Sequence, residues 1–254
     1  MKLTVIIAIL LSLSMLTAIN LEQYNTSSMG VSASLRELRS APVAEDMSSD
    51  NDDGLDTVSY ISKTFALPYA DANVVLNRAT WNVYDQEGNL LYVQDNNRTD
   101  TAVISNRFTF REMRGYTIKL KAQYQENNLS YTLKDVDFQV VGIDPVAVPA
   151  AISPAFIDAY KTLADNWDTC YLRNLPLSRP KMLIITHSQL AEYQAEFIKW
   201  KQQMGYIIYT VNKSEIGTTV DQFKTYIANH YNQFQSDYVL LLGDVNGTYS
   251  IPTA

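Results

Sequence analysis

The 254-residue chain has one cysteine and two histidines, Cys170, His187 and His230, for any thiol or imidazole chemistry. A cysteine nucleophile needs a lowered thiol pKa or an adjacent imidazole base. Cys170 lies between Trp167 and Tyr171, a setting that predicts a packed and inert thiol. His187 directly follows an apolar run and is well placed for a ligand site, whereas His230, in Asn229-His230-Tyr231, reads as a surface or C-terminal-turn histidine. Neither is assigned a catalytic role. Carboxylates stand out in two places. Asp50-Asn-Asp-Asp-Gly54-Leu-Asp56 has the acids-before-glycine look of a calcium loop, but its glycine comes one position early and Ile61 occupies the place of the closing glutamate. It reads as a solvated acidic tract. Gly243-Asp244 closes a second apolar run; Asp244 could bind a metal or a substrate, but from spacing alone it reads as a turn-forming or helix-capping residue.

For these residues to act, some element must hold them. Lys181-Met-Leu-Ile-Ile-Thr186 is a compact apolar run suited to a strand buried on both faces. Ser188 can then cap a helix in which Leu190, Tyr193, Phe197, Trp200 and Met204 recur at spacings of three and four, forming one stripe that Gly205 ends. A second strand over 206–211, a second stripe of Val220, Phe223, Ile227, Tyr231 and Phe234, and a third strand over 238–242 complete the order β-α-β-α-β. That alternation predicts right-handed crossovers and a parallel sheet with helices on its faces. Ligands of such sheets gather beyond the carboxyl ends of the strands, where Asp244 falls. A dinucleotide site is not expected, because Thr186-His187-Ser188 stands where a glycine-rich loop would be needed.

Upstream the composition changes. Residues 57–145 are short runs of Val, Ile, Thr, Tyr and Phe between turn residues, which is strand composition. The clearest hairpin spans 81–93 with Glu87-Gly88-Asn89 at its turn; further strands are expected at 58–67, 107–110, 116–124 and 129–141. Their close spacing predicts an antiparallel sandwich or barrel, and nothing in it looks catalytic. Residues 146–180 read as a connector carrying a short helix with Pro154 in its first turn. At the start, Lys2 followed by an apolar run to Ala18 reads as a secretory signal peptide over 1–18, too short for a spanning helix and without a basic stop-transfer cluster. Residues 19–56, rich in Ser, Asn, Asp and Glu, read as an acidic disordered linker. Residues 21–60 hold eight acids against Arg36 and Arg39, so nearly all of the net charge of −7 is concentrated there. The remainder has no basic stripe, which excludes nucleic acid as an expected partner.

The ordered set Met182-Leu-Ile-Ile-Thr186, Phe197-Ile-Lys-Trp200-Lys-Gln-Gln-Met-Gly205, Phe223-Lys-Thr-Tyr-Ile227, Asp237-Tyr-Val-Leu-Leu-Leu-Gly-Asp244 and Ile251-Pro252 resembles the opening of the peptidase domain of the gingipain family. The resemblance implies a secreted cysteine endopeptidase zymogen with a caspase-like fold: a β-rich, antiparallel sandwich-like propeptide domain over 57–145, then an incomplete parallel α/β three-layer subdomain over 181–254. It implies hydrolysis of protein or peptide substrates by a thiolate with a histidine base; no integral membrane span is expected once the signal read from the apolar run is removed. In the family that dyad lies well downstream of the Gly-Asp motif, and this sequence stops ten residues after Asp244. No catalytic residue is therefore expected in this chain, which should be inactive by itself. The resemblance also gives Asp244 the place of a calcium ligand, although one carboxylate cannot supply the six to eight oxygens calcium takes and an insertion, Asn246-Gly-Thr-Tyr-Ser250, alters the loop. Activation should cut between the domains, where Arg173 and Arg179 are the basic residues available. The competing expectation is a non-enzymatic secreted binding or adhesion protein with a degenerate peptidase remnant. A nucleotide-binding α/β protein would need a phosphate loop that is absent.

Overall fold

The structure is a computed structural model that describes residues 21–27, 29–36 and 58–252. The signal peptide over 1–18 and the Asp50–Asp56 tract lie outside the described residues. Two compact units emerge: the described residues up to Pro149 with Tyr160–Asn174, and Ala150–Ala159 with those from Leu175 onward.

The first unit is antiparallel throughout. Its strands are β1 (Leu21–Ser27), β2 (Gly30–Leu35), β3 (Ser59–Ala66), β4 (Tyr69–Tyr84), β5 (Leu90–Asp95), β6 (Ala102–Phe110), β7 (Met113–Glu126) and β8 (Leu129–Pro145). One arm runs β1-β2-β8-β4-β5, the other places β7 between β3 and β6, and the β7–β8 hairpin joins them. In β7, Tyr116, Ile118, Leu120 and Tyr124 are buried at alternate positions, as period-two patterning requires. They share one core with Trp81 and Val83 of β4 and Leu133, Val136, Phe138 and Val140 of β8. Phe65 of β3 meets Phe138 of β8 edge-to-face at 5.9 Å, so residues from both arms share the core, and the expectation of a β-rich, antiparallel unit holds.

Two findings differ from the sequence reading. First, residues 21–35, read as part of a linker, form β1 and β2, and β2 pairs with β8 while burying Val31, Ala33 and Leu35. The period-two pattern of Val31-Ser-Ala-Ser-Leu35 is hidden within serine-rich composition. Second, the stretch read as a single connector is divided. Ala150–Ala159 goes with the second unit, whereas Tyr160 is fully buried with its ring on Phe110 and its hydroxyl on Glu112. Asp165 and Asn166 bond to the backbone of Thr64 and Ala66, which covers the outer edge of β3. The short helix is α1 (Ile157–Leu163), shared between the two segments.

The second unit holds β9 (Lys181–Thr186), β10 (Ile207–Asn212) and β11 (Tyr238–Leu242) as a parallel sheet in the order β10-β9-β11. Between them lie α2 (Ala195–Gln203), the one-turn α3 (Lys213–Ile216) and α4 (Val220–Phe234). The β-α-β-α-β order is as the patterning predicts. Leu183 and Ile185 pack with Val211, Phe223 and Ile251, and α4 begins with the capping box of Thr219 and Gln222. Asp237 accepts from the Lys181 amide at 2.7 Å and donates its own amide back to the Lys181 carbonyl at 2.8 Å, fixing the start of β11 beside that of β9. The first stripe behaves otherwise. Ser188 to Gln194 is a 3-10 segment capped by His187 rather than by Ser188, α2 starts only at Ala195 and buries no residue, and Tyr193 and Trp200 are 73% and 52% exposed. Gly205 does end the helix, at φ +93°. Among the described residues no helix is long and apolar enough to cross a membrane.

Candidate functional site

The carboxyl edge of the parallel sheet gathers most of the chemistry-bearing groups of the second unit. At the end of β9 the amide of His187 donates to the Leu242 carbonyl at 3.1 Å, which carries the parallel pairing one residue further and brings His187 alongside Gly243-Asp244. Gly243 is required for packing: a Cβ there would stand 2.6 Å from Ile251 Cγ1 and 2.7 Å from the Tyr249 carbonyl. The loop after Asp244 curls back on itself. The Asp244 amide donates to the Tyr249 carbonyl at 2.9 Å, and the Ile251 amide donates to the Asp244 carbonyl at 2.7 Å. Residues 246–250, read from sequence as an insertion, are therefore a closed loop. It sets the Tyr249 ring against His187 at 5.7 Å, and Lys213 donates from Nζ to its Ser250 carbonyl.

Lys213 was not singled out by sequence reasoning. Its signal is positional, as it follows the second strand at the carboxyl edge where sheets of this kind hold ligands. Together with Ser214, Gly217 and Thr218 from α3 and the turn after it, and with His187 and Ser188 from the end of β9, it lines a cavity of about 240 Å³.

Asp244 is exposed, and its Oδ1 accepts from the neighbouring Val245 amide at 2.8 Å. Among the described residues there is no group of three or more His, Cys, Asp or Glu able to hold a metal. The nearby Tyr249 and Ser250 carbonyls are already engaged, the latter by an ammonium. Of the calcium site that the resemblance implies, the described residues offer one candidate carboxylate, Asp244, and they do not by themselves fit the ion.

The other two chemistry-bearing residues are enclosed. His230 is buried, which corrects its reading as a surface residue. Its ring lies 4.9 Å from Tyr209 and 4.7 Å from Phe234, its Nδ1 is 3.2 Å from the Ser236 hydroxyl, and its Nε2 has no hydrogen-bond partner among the described residues. Burial pushes its pKa below the ordinary value of 6.5. Cys170 is 3% exposed in the first unit, and burial pushes its thiol up, away from the reactive thiolate. Both histidines belong to the second unit, so neither unit contains a thiol–imidazole pair.

With this geometry in hand, comparison with known proteins is informative over one segment. Residues 175–254 match the family model of Peptidase family C25. Among solved structures, the chain overlaps the complex of Porphyromonas gingivalis RgpB pro- and mature domains at 11% identity and a TM-score of 0.42, covering 59% of this chain and 97% of that one. No curated protein matches the chain. The likeness to peptidase family C25, the gingipain family, rests on the sequence match over residues 175–254, the segment that holds β9, β10, β11 and the Gly243-Asp244 turn.

Proposed function

We propose that the chain is the N-terminal part of an exported gingipain-like cysteine endopeptidase precursor, in which the antiparallel unit is the propeptide and residues 181–254 begin the catalytic domain. The observation that carries this reading is the family match over residues 175–254, on a segment whose parallel strands bring Gly243-Asp244 to the carboxyl edge of the sheet. Peptide-bond hydrolysis by this class needs a thiolate, an imidazole within hydrogen-bonding reach of it, and donors for the oxyanion. Residues 181–254 contain no cysteine. In this proposal they supply the floor and one wall of a substrate cleft rather than its nucleophile, and the chain alone is inactive. Calcium, where it has a role, would use Asp244 as one oxygen donor among others from outside the described residues. Export follows from the leader read over 1–18, and processing would fall at the exposed Arg173 or Arg179.

The encoding DNA tests the reading. Read beyond Ala254, it should continue, in frame or after a frameshift, into a histidine motif followed by a cysteine motif. A genuine stop immediately after Ala254 would instead favour a secreted binding protein. One observation speaks for that second reading: Leu90, Leu91, Tyr92 and Val93 are all exposed on β5, which among the described residues pairs with β4 alone and could accept a partner's strand.

A further inference from the structure

We infer that the cavity lined by His187, Ser188, Lys213, Ser214, Gly217 and Thr218 is a carboxylate-binding pocket that receives an acidic side chain of a bound polypeptide. The pocket's place in a substrate cleft rests on the peptidase reading; its affinity for a carboxylate does not.

Four features of its lining select an anion. Lys213 is half-buried and forms no ion pair among the described residues, its Nζ donating to the neutral Ser250 carbonyl. An ammonium has three donors, so two remain for a ligand. His187 Nδ1 accepts from the Gln189 amide at 3.4 Å, which leaves Nε2 as the hydrogen-bearing nitrogen of the neutral ring and therefore a donor. Ser188, Ser214 and Thr218 add hydroxyls that can donate, and no lining side chain is a carboxylate. Glu215, which adjoins Ser214, is turned to another task and accepts from the Asn212 amide at 3.0 Å, and Asp244 at the end of β11 accepts from the Val245 amide at 2.8 Å.

Size and position narrow the ligand further. About 240 Å³ holds a side-chain carboxylate with its methylenes, and is below the usual range for drug-sized ligands. The pocket opens beyond the carboxyl ends of β9 and β10, where sheets of this topology bind substrates, and charge-assisted bonds to a carboxylate are about twice as strong as neutral ones.

The test uses the full chain with histidine labelled for NMR. Because the chain has only two histidines, the ring signal of His187 reports on the pocket, and that of the buried His230 serves as an internal control. Three probes are titrated: acetyl-Ala-Asp-Ala-amide, its Asn counterpart and inorganic phosphate. The Asp peptide should shift the His187 signal saturably and leave His230 in place, with the Asn peptide inert at the same concentrations. Lys213→Met should weaken binding about tenfold. Ser214→Ala, at an exposed position where folding is not at stake, should weaken it by a few-fold. Equal binding of the Asn peptide, no saturable shift, or affinity unchanged in both variants would overturn the inference. Binding of phosphate alone would overturn the assignment to a polypeptide. Should the Asp peptide bind while the downstream reading frame carries no peptidase motif, the pocket stands and the peptidase reading fails.

Discussion

His230 shows how a single side chain makes stability depend on pH. Its ring is enclosed by Tyr209, Tyr226 and Phe234, with Lys224 and Tyr231 lining the groove beside it, and its Nε2 has no partner to share a proton's charge. Because burial lowers its pKa below 6.5, the unfolded chain binds more protons than the folded one as pH drops through and below that value, so the contribution of His230 to stability is present above it and is lost on acidification. The urea midpoint of the second unit should therefore fall over that window, and His230→Phe should remove this part of the slope. A slope unchanged by the substitution would show that other groups set it. Cys170 makes the complementary prediction. With its thiol buried and its pKa raised, Ellman's reagent should react only after denaturant is added; rapid reaction of the native chain would mean the thiol is accessible and would reopen a nucleophilic role.

At the scale of elements, sheet edges and caps decide stability. Asn166 is almost fully buried, accepting from the Ala66 amide at 2.8 Å and donating to the Ala66 carbonyl at 3.2 Å. Asn166→Ala would leave both groups of β3 without partners and should cost about 1–3 kcal/mol; urea unfolding of the first unit reads this directly, and a change within error would show that water replaces the side chain. The same covering of β3 was not legible in the sequence. Periodicity reports which face of a strand is buried, as it did for Tyr116 to Tyr124, but an edge is covered by residues a hundred positions away. Composition also misled where burial was local: Val31, Ala33 and Leu35 are core residues separated by serines. The apolar stripe of Tyr193, Trp200 and Met204 was legible as a helix signal and not as a burial signal, since helical spacing places residues on one face without saying what covers it. Asp244 could be located from sequence because it ends an apolar run. Lys213 and the loop that returns to it could not, because their meeting depends on the fold of residues 244–251.

For the whole molecule, the antiparallel unit and the parallel unit divide the work proposed for a zymogen: among the described residues the first has a closed core and no group of His, Cys, Asp and Glu able to hold a metal, and the second has a polar pocket at its sheet edge and no thiol. In the function proposed above, this chain carries the scaffold of a cysteine peptidase without its nucleophile. The most direct measurement is hydrolysis of a fluorogenic protein substrate by the full 254-residue chain with reductant and calcium present. No turnover above buffer is expected, with or without a thiol-directed inhibitor. Thiol-sensitive cleavage that disappears in Cys170→Ala would contradict it.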